Sequence, residues 1–203
     1  MEDTSEKTTL KDSESHPLNS SWNFWYASRK EKDHHIPYEN RLTEISTFST
    51  LKSFLETYIY IKKVNEIPRN ADISLFKKGY LPLWENCPDS GYLFHRFNEG
   101  EEKDINYLWE KILFSLIGEQ FNEANILGSV LSIRGKETII QLWFNYFGYD
   151  QIKDGLSEKF KKVLGLEKNL IFFKDNKQSM QDKSSLRNAE RYGFKKRRKY
   201  TYN

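Results

Sequence analysis

Cysteine is nearly absent from this 203-residue chain: Cys87 stands alone, so no internal disulfide can form and a reducing compartment is the expected home. No apolar run approaches the ~20 residues that a membrane-spanning helix needs, and the polar N-terminus lacks the apolar stretch of a secretory signal. No membrane association is expected; the cytoplasm is, with the nucleus left open. Charge of one sign is also missing, because 32 basic residues face 29 acidic ones for a net charge of +3. Any nucleic-acid site must therefore come from local clustering rather than from a global field. The chain has no Walker-type loop, zinc spacing, nucleophile elbow or carboxylate cluster, so neither enzymatic chemistry nor a cofactor or metal is expected. His34 and His35 are adjacent but have no Cys or carboxylate at metal spacing, and they read as solvated loop residues. No internal repeat is present.

What the chain has in quantity is aromatic side chains, which make up 15% of it. Its length suits one well-buried core, so a single domain, acting as a monomer, is expected. Residues 1–15 are polar and charged and read as a disordered tail, because they cannot offset the entropy of ordering. The domain is expected over residues 16–188. Residues 189–203 read as a basic tail that includes Lys195, Lys196, Arg197, Arg198 and Lys199.

Between the tails, residues 22–26, 45–48, 92–97 and 169–173 are aromatic and β-branched runs and predict strands, and an apolar strand-like run precedes Trp84. Residues 130–133 and 138–144 predict a hairpin turning at residues 134–137. Helical spacing appears in Leu51, Phe54, Leu55, Tyr58 and Ile61, in residues 105–116, and in Ile152, Leu156, Phe160 and Val163. Ser49 or Thr50, and Asp150, are the expected N-caps of the first and third helices. This order predicts an α+β layer pair, one curved and mostly antiparallel sheet backed by helices on a single face.

Trp84 next to Glu85, in a loop after that strand-like run, pairs a flat π surface with a carboxylate acceptor. That pairing suits a cationic ring bearing N–H donors, and a methylated purine meets the description. Trp22, Trp25 and Trp109 have strand or helix spacing and read as core.

The chain as a whole resembles the eukaryotic translation initiation factor 4E family, which binds the 7-methylguanosine cap of messenger RNA. The resemblance runs in order through His16-Pro17-Leu18, Ser21-Trp22-Asn23-Phe24-Trp25-Tyr26, Tyr38-Glu39-Asn40, Thr47-Phe48, Trp84-Glu85, Leu116-Ile117-Gly118-Glu119-Gln120-Phe121, Val130-Leu131-Ser132-Ile133-Arg134, Trp143 and Ser184-Ser185-Leu186-Arg187-Asn188. It implies helices on the convex face of the sheet and the cap in a slot on the concave face. The base would lie between Trp84 and Tyr38, Glu85 would accept its N1–H and N2–H, and Trp143 would pack against the methyl group. Arg134 and Lys136 would protrude from the hairpin turn toward the phosphates.

Several positions depart from the founding type. Tyr38 stands where most founding members have Trp, as in the subclass of the animal 4E homologous protein and the plant novel cap-binding protein. A weaker π wall implies looser cap binding. Ile139 and Tyr92 occupy positions that are basic in founding members, which weakens grip on the triphosphate. The family's convex surface receives a helical peptide from a scaffold or repressor; His16, Pro17, Leu18, Leu51, Ile117 and Gly118 match it, but Leu55 replaces an ordinary Trp. Ser184 and Ser185 fall in a loop that related proteins phosphorylate. A cap-binding factor in translation initiation or its control is the expected function. The alternatives are a general initiation factor, and a protein-interaction module or translational repressor of the same fold in which cap binding is weak or lost.

Overall fold

The computed structural model describes residues 16–30, 35–98 and 104–192. His34, the expected tail over residues 1–15 and the basic run ending at Tyr200 lie outside the described residues.

Side-chain alternation organises the fold. Strands β1 (Pro17–Ser28), β2 (Leu42–Thr50), β3 (Ala71–Lys77), β4 (Ser90–Asn98), β5 (Ile126–Ile133), β6 (Glu137–Asn145), β7 (Ile171–Asp175) and β8 (Glu190–Tyr192) form one eight-stranded sheet in the order β2-β1-β3-β5-β6-β4-β7-β8. Every pairing in it is antiparallel. Phe24, Ile73, Leu75, Leu131, Ile140, Leu142 and Phe144 point one way into the larger core. Their neighbours Phe76, Val130, Ile139 and Trp143 point the other way, into a smaller apolar cluster on the opposite face.

Helices α1 (Leu51–Tyr58), α2 (Ile105–Ile117) and α3 (Asp150–Leu164) cover the first face, contributing Phe54, Trp109, Ile112, Leu113, Leu156 and Phe160 to its core. Each such fully buried side chain contributes roughly 1.5–3 kcal/mol. The α+β architecture is the one expected from the sequence. Thr50 caps α1 in a reciprocal capping box with Ser53. Gly165 ends α3 in the left-handed region at φ 68°, where its amide and that of Leu166 bond back to the last turn.

The strands run longer than the aromatic cores that signalled them, because their polar ends complete the ladder. Helix α1 stops at Tyr58 rather than reaching Ile61; Ile59 and Tyr60 just past its end are exposed, while Ile61 still packs on the core. Asp150 is the first residue of α3 and Tyr149 its cap; the Asp150 carboxylate instead pairs with Lys153 at 2.7 Å. The domain also continues past residue 188, since β8 pairs with β7. Its sequence carries no apolar run, and it is held by Tyr192 against Phe173 and by Lys153 facing Glu190. A short helix, α4 (Asn176–Asp182), was not expected, because its residues are polar; the Asp175 side chain caps it at the Gln178 amide.

Candidate functional site

On the face opposite α1–α3, a pocket of about 510 Å³ opens over β3, β5 and β6. That volume suits a nucleotide-sized ligand. Tyr38, the adjacent pair Trp84 and Glu85, and Trp143, which come from three separate segments, all line it.

Each is positioned differently. Trp143 is the floor: buried on β6, it lies nearly parallel to Tyr92 at 5.2 Å between ring centroids and meets Phe76 edge-on at 5.5 Å. Its indole N–H donates to Oε1 of Gln141 at 2.8 Å, so one buried polar residue of the strand fixes the next outward-facing ring. Trp84 and Glu85 sit in the turn before β4, with Trp84 half-buried against the smaller cluster and Glu85 exposed. The turn is held from behind. The Cys87 amide donates to the Trp84 carbonyl at 3.2 Å, and Nδ2 of Asn176 donates to the Cys87 carbonyl at 2.7 Å. Burial pushes the Cys87 thiol up to about 11, so it is an inert structural group.

Tyr38 belongs to a single 3-10 turn, Tyr38–Arg41, that buries none of its residues. Its hydroxyl donates to Oδ2 of Asp72 at 2.9 Å. Asp72, buried at the centre of the site face, also receives Nε of Arg29 at 2.5 Å and Nη2 of Arg134 at 2.7 Å. Burial alone would raise the Asp72 carboxyl; the guanidiniums of Arg29 and Arg134, with hydrogen bonds from Ser132 and Arg134, hold it below the usual carboxylate range. Burial, with the Asp72 carboxylate adding to it, keeps the Tyr38 phenol protonated well above its ordinary range.

The opposite rim comes from α4 and the residues after it, where Met180, Lys183 and Ser185 line the pocket. Lys174 on β7 is completely buried and clamps this segment, its ammonium donating to Oδ2 of Asp182 at 2.8 Å, to the Ser184 carbonyl at 2.7 Å, and to the Arg187 carbonyl. Tyr92 adds a hydrogen bond to the Ser185 carbonyl at 2.9 Å and another shared with the Ser179 hydroxyl at 2.9 Å.

The expected phosphate contacts are arranged otherwise. Lys136 is exposed at the hairpin turn, but Arg134 does not protrude beside it. Its guanidinium folds back onto Asp72 and onto the carbonyls of Ala71 and Ile133, because a buried carboxylate draws in the nearest cations. Both line a separate groove with Arg69 rather than the pocket itself. Ile139 and Tyr92 are buried in the sheet face.

On the helical face, His16, Leu51, Leu55 and Ile59 line a second groove of about 320 Å³. The His16 carbonyl accepts the Leu51 amide at 2.8 Å, and Leu18 packs on the core beneath. Pro17 is exposed, as is Gly118 just past the end of α2. Ile117 is a correction to the expected partner surface, since it is buried in the core; Phe114, one turn earlier on α2, is exposed. Trp22 and Trp109 are core as expected, and Trp25 packs on the smaller cluster of the site face.

Sequence reasoning missed Arg29, Asp72 and Gln141. The signal for Asp72 was present: Asp72 and Ser74 alternate with Ile73 and Leu75, marking one strand face as polar where strand-like runs elsewhere are apolar.

Residues 17–191 match the profile of a family described as "Eukaryotic initiation factor 4E". The chain is 33% identical over 185 residues to the eukaryotic translation initiation factor NCBP of Arabidopsis thaliana, covering 89% of this chain and 81% of that protein. Its fold is similar to eIF4E-3 of C. elegans, solved in complex with the 4E-binding protein Mextli, at TM-score 0.74 and 24% identity over 82% of this chain and 96% of that one. It is similar also to Ascaris suum eIF4E-3, solved with an m7G cap, at TM-score 0.73 and 24% identity over 79% and 91%.

Proposed function

The chain belongs to the eukaryotic initiation factor 4E family, and from that premise we propose that its pocket holds the 7-methylguanosine cap of messenger RNA, in translation initiation or its regulation. Methylation at N7 makes guanine a flat cation, and Tyr38 and Trp84 are the two walls that receive it. Each cation–π face is worth roughly 0.5–2 kcal/mol, so two are needed to tell a methylated guanine from an ordinary one. Glu85 accepts the two N–H donors on the base edge, and Trp143 backs the methyl group. The observation that carries the reading is the convergence of these four residues, from three well-separated segments of the chain, on one pocket.

Phosphate grip is weak in this reading. Arg134 is already engaged by Asp72, and Ile139 is buried; among the described residues, Lys183 is an exposed cation at the pocket rim and Lys136 one at the hairpin turn. The groove beside Leu55 is where a helical peptide of a scaffold or repressor docks. The cytoplasm is the compartment of this activity; no helix of the described residues is long and apolar enough to cross a membrane.

Tryptophan-fluorescence titration with 7-methyl-GTP and with GTP tests the proposal on the wild type, Trp84→Ala and Glu85→Ala. Quenching that requires the methyl group and vanishes in both variants supports it. Equal weak responses to both nucleotides would favour an interaction module of the same fold.

A further inference from the structure

Tyr38 is half-buried but belongs to neither apolar cluster, so apolar packing is not what fixes its ring. A stacking wall that pivots freely would lose entropy each time a ligand ordered it. Polar contacts hold this one. The guanidinium carbon of Arg29 lies 4.4 Å from the Tyr38 ring centroid, within the range of a stacked cation. Its Nε and the Tyr38 hydroxyl share Oδ2 of Asp72, at 2.5 and 2.9 Å. Carboxylate, phenol and guanidinium therefore form a closed triangle with the ring as one side.

The triangle is anchored at each corner. Asp72 lies on a central strand, is buried, and is held from its other oxygen by Arg134. Arg29 directly follows β1, and its amide donates to the Asn70 carbonyl at 2.7 Å, just before β3. Arg41 is a more distant cation, 5.4 Å from the ring centroid, with Nη1 on the Ser28 carbonyl at 3.3 Å.

We infer that Arg29 is the positioning residue for Tyr38, laying its guanidinium against the ring and sharing Asp72 with the hydroxyl so that this wall of the pocket is in place before a flat base arrives. The inference rests on the reading of Tyr38 as a base-stacking wall. Arg29 acts on affinity through the ring and makes no phosphate contact of its own. The planar fork stacks and bonds at once, so Lys replaces it only in part.

The test uses the full chain and three probes that differ only in phosphate: 7-methylguanosine, its monophosphate and its triphosphate. Arg29→Ala is expected to weaken all three by the same factor, about 5–30-fold. Arg29→Lys should fall between Ala and wild type, Arg41→Ala should change less, and Arg29→Ala should add almost nothing in a Tyr38→Ala background. A loss that grows with each phosphate, a loss undiminished in the Tyr38→Ala background, or no loss would overturn the inference. Ring signals of labelled tyrosine, with Tyr38 assigned through Tyr38→Phe, report without ligand. Arg29→Ala and Arg29→Lys should shift and broaden the Tyr38 signal, and an unchanged signal would overturn the inference. If no probe binds the wild type, the cap reading fails while the ring signal still decides whether Arg29 holds Tyr38.

Discussion

The side-chain amide of Asn176 donates to the carbonyl of Cys87 at 2.7 Å, joining the first residue of α4 to the loop that carries Trp84 and Glu85. Two rims of the pocket are thereby tied together behind the site. Asn176→Ala leaves a buried carbonyl without its donor and should cost about 1–3 kcal/mol in urea unfolding. It should also weaken 7-methyl-GTP, because the freed loop presents Trp84 less well.

The two tryptophans of the pocket should separate cleanly under mutation. Trp143 is buried and stacked on Tyr92, so Trp143→Ala should lose roughly 3–5 kcal/mol of stability by opening a cavity. Trp84 is half-buried on a turn, and Trp84→Ala should change stability by less than about 1 kcal/mol while abolishing methyl-dependent quenching. Denaturant midpoints measured beside binding curves check both.

Acid should loosen the site through Asp72. Its carboxyl is held low in the folded state, so its contribution is complete at neutral pH and drains away as pH falls below about 4, where the unfolded carboxylate takes up its proton. Asp72→Asn should cost roughly 3–5 kcal/mol at pH 7 by leaving Arg29 and Arg134 without their anion, and should flatten the acid limb of the stability profile. Urea unfolding of wild type and variant between pH 7 and pH 3 measures both effects.

Lys174 is the clamp on the residues after α4. Lys174→Met removes all three of its bonds, so amides of residues 184–188 should exchange with solvent faster. Stability should fall by about 1–3 kcal/mol, less than for a fully buried pair because Asp182 retains some solvent access.

The helical-face groove should respond to Leu55. Leu55→Trp adds contact area and an indole donor beside Leu51 and Ile59, and should tighten a scaffold-type helical peptide about tenfold or more in fluorescence anisotropy. Unchanged affinity would show that Leu55 is not the missing anchor.

How much of this was legible in the sequence follows from where the information lies. Period-two alternation and helical spacing are local, so the strands, the hairpin and the three long helices could be read from residues such as Phe24, Leu142 and Phe160. The resemblance singled out Tyr38, Trp84, Glu85 and Trp143, and these do line one pocket. What could not be read was pairing over distance. Arg29 and Arg134 meet Asp72 from across 43 and 62 residues of chain, and no spacing rule joins them. Ile117 was misplaced because a match to a surface motif does not say which way a side chain near a helix end turns. Helix α4 and strand β8 escaped notice because contacts with the rest of the domain, rather than apolar runs, hold them in place.

Along β6, Ile140, Leu142 and Phe144 are core while Ile139, Gln141 and Trp143 belong to the opposite face. The strand thus carries two interleaved messages, one written for the helices and one for the pocket. Inserting a single residue near its start would exchange them, delivering leucine and isoleucine to the ligand and glutamine and tryptophan to the core. Length in these central strands is consequently guarded twice, and insertions or deletions should survive only in the connecting turns.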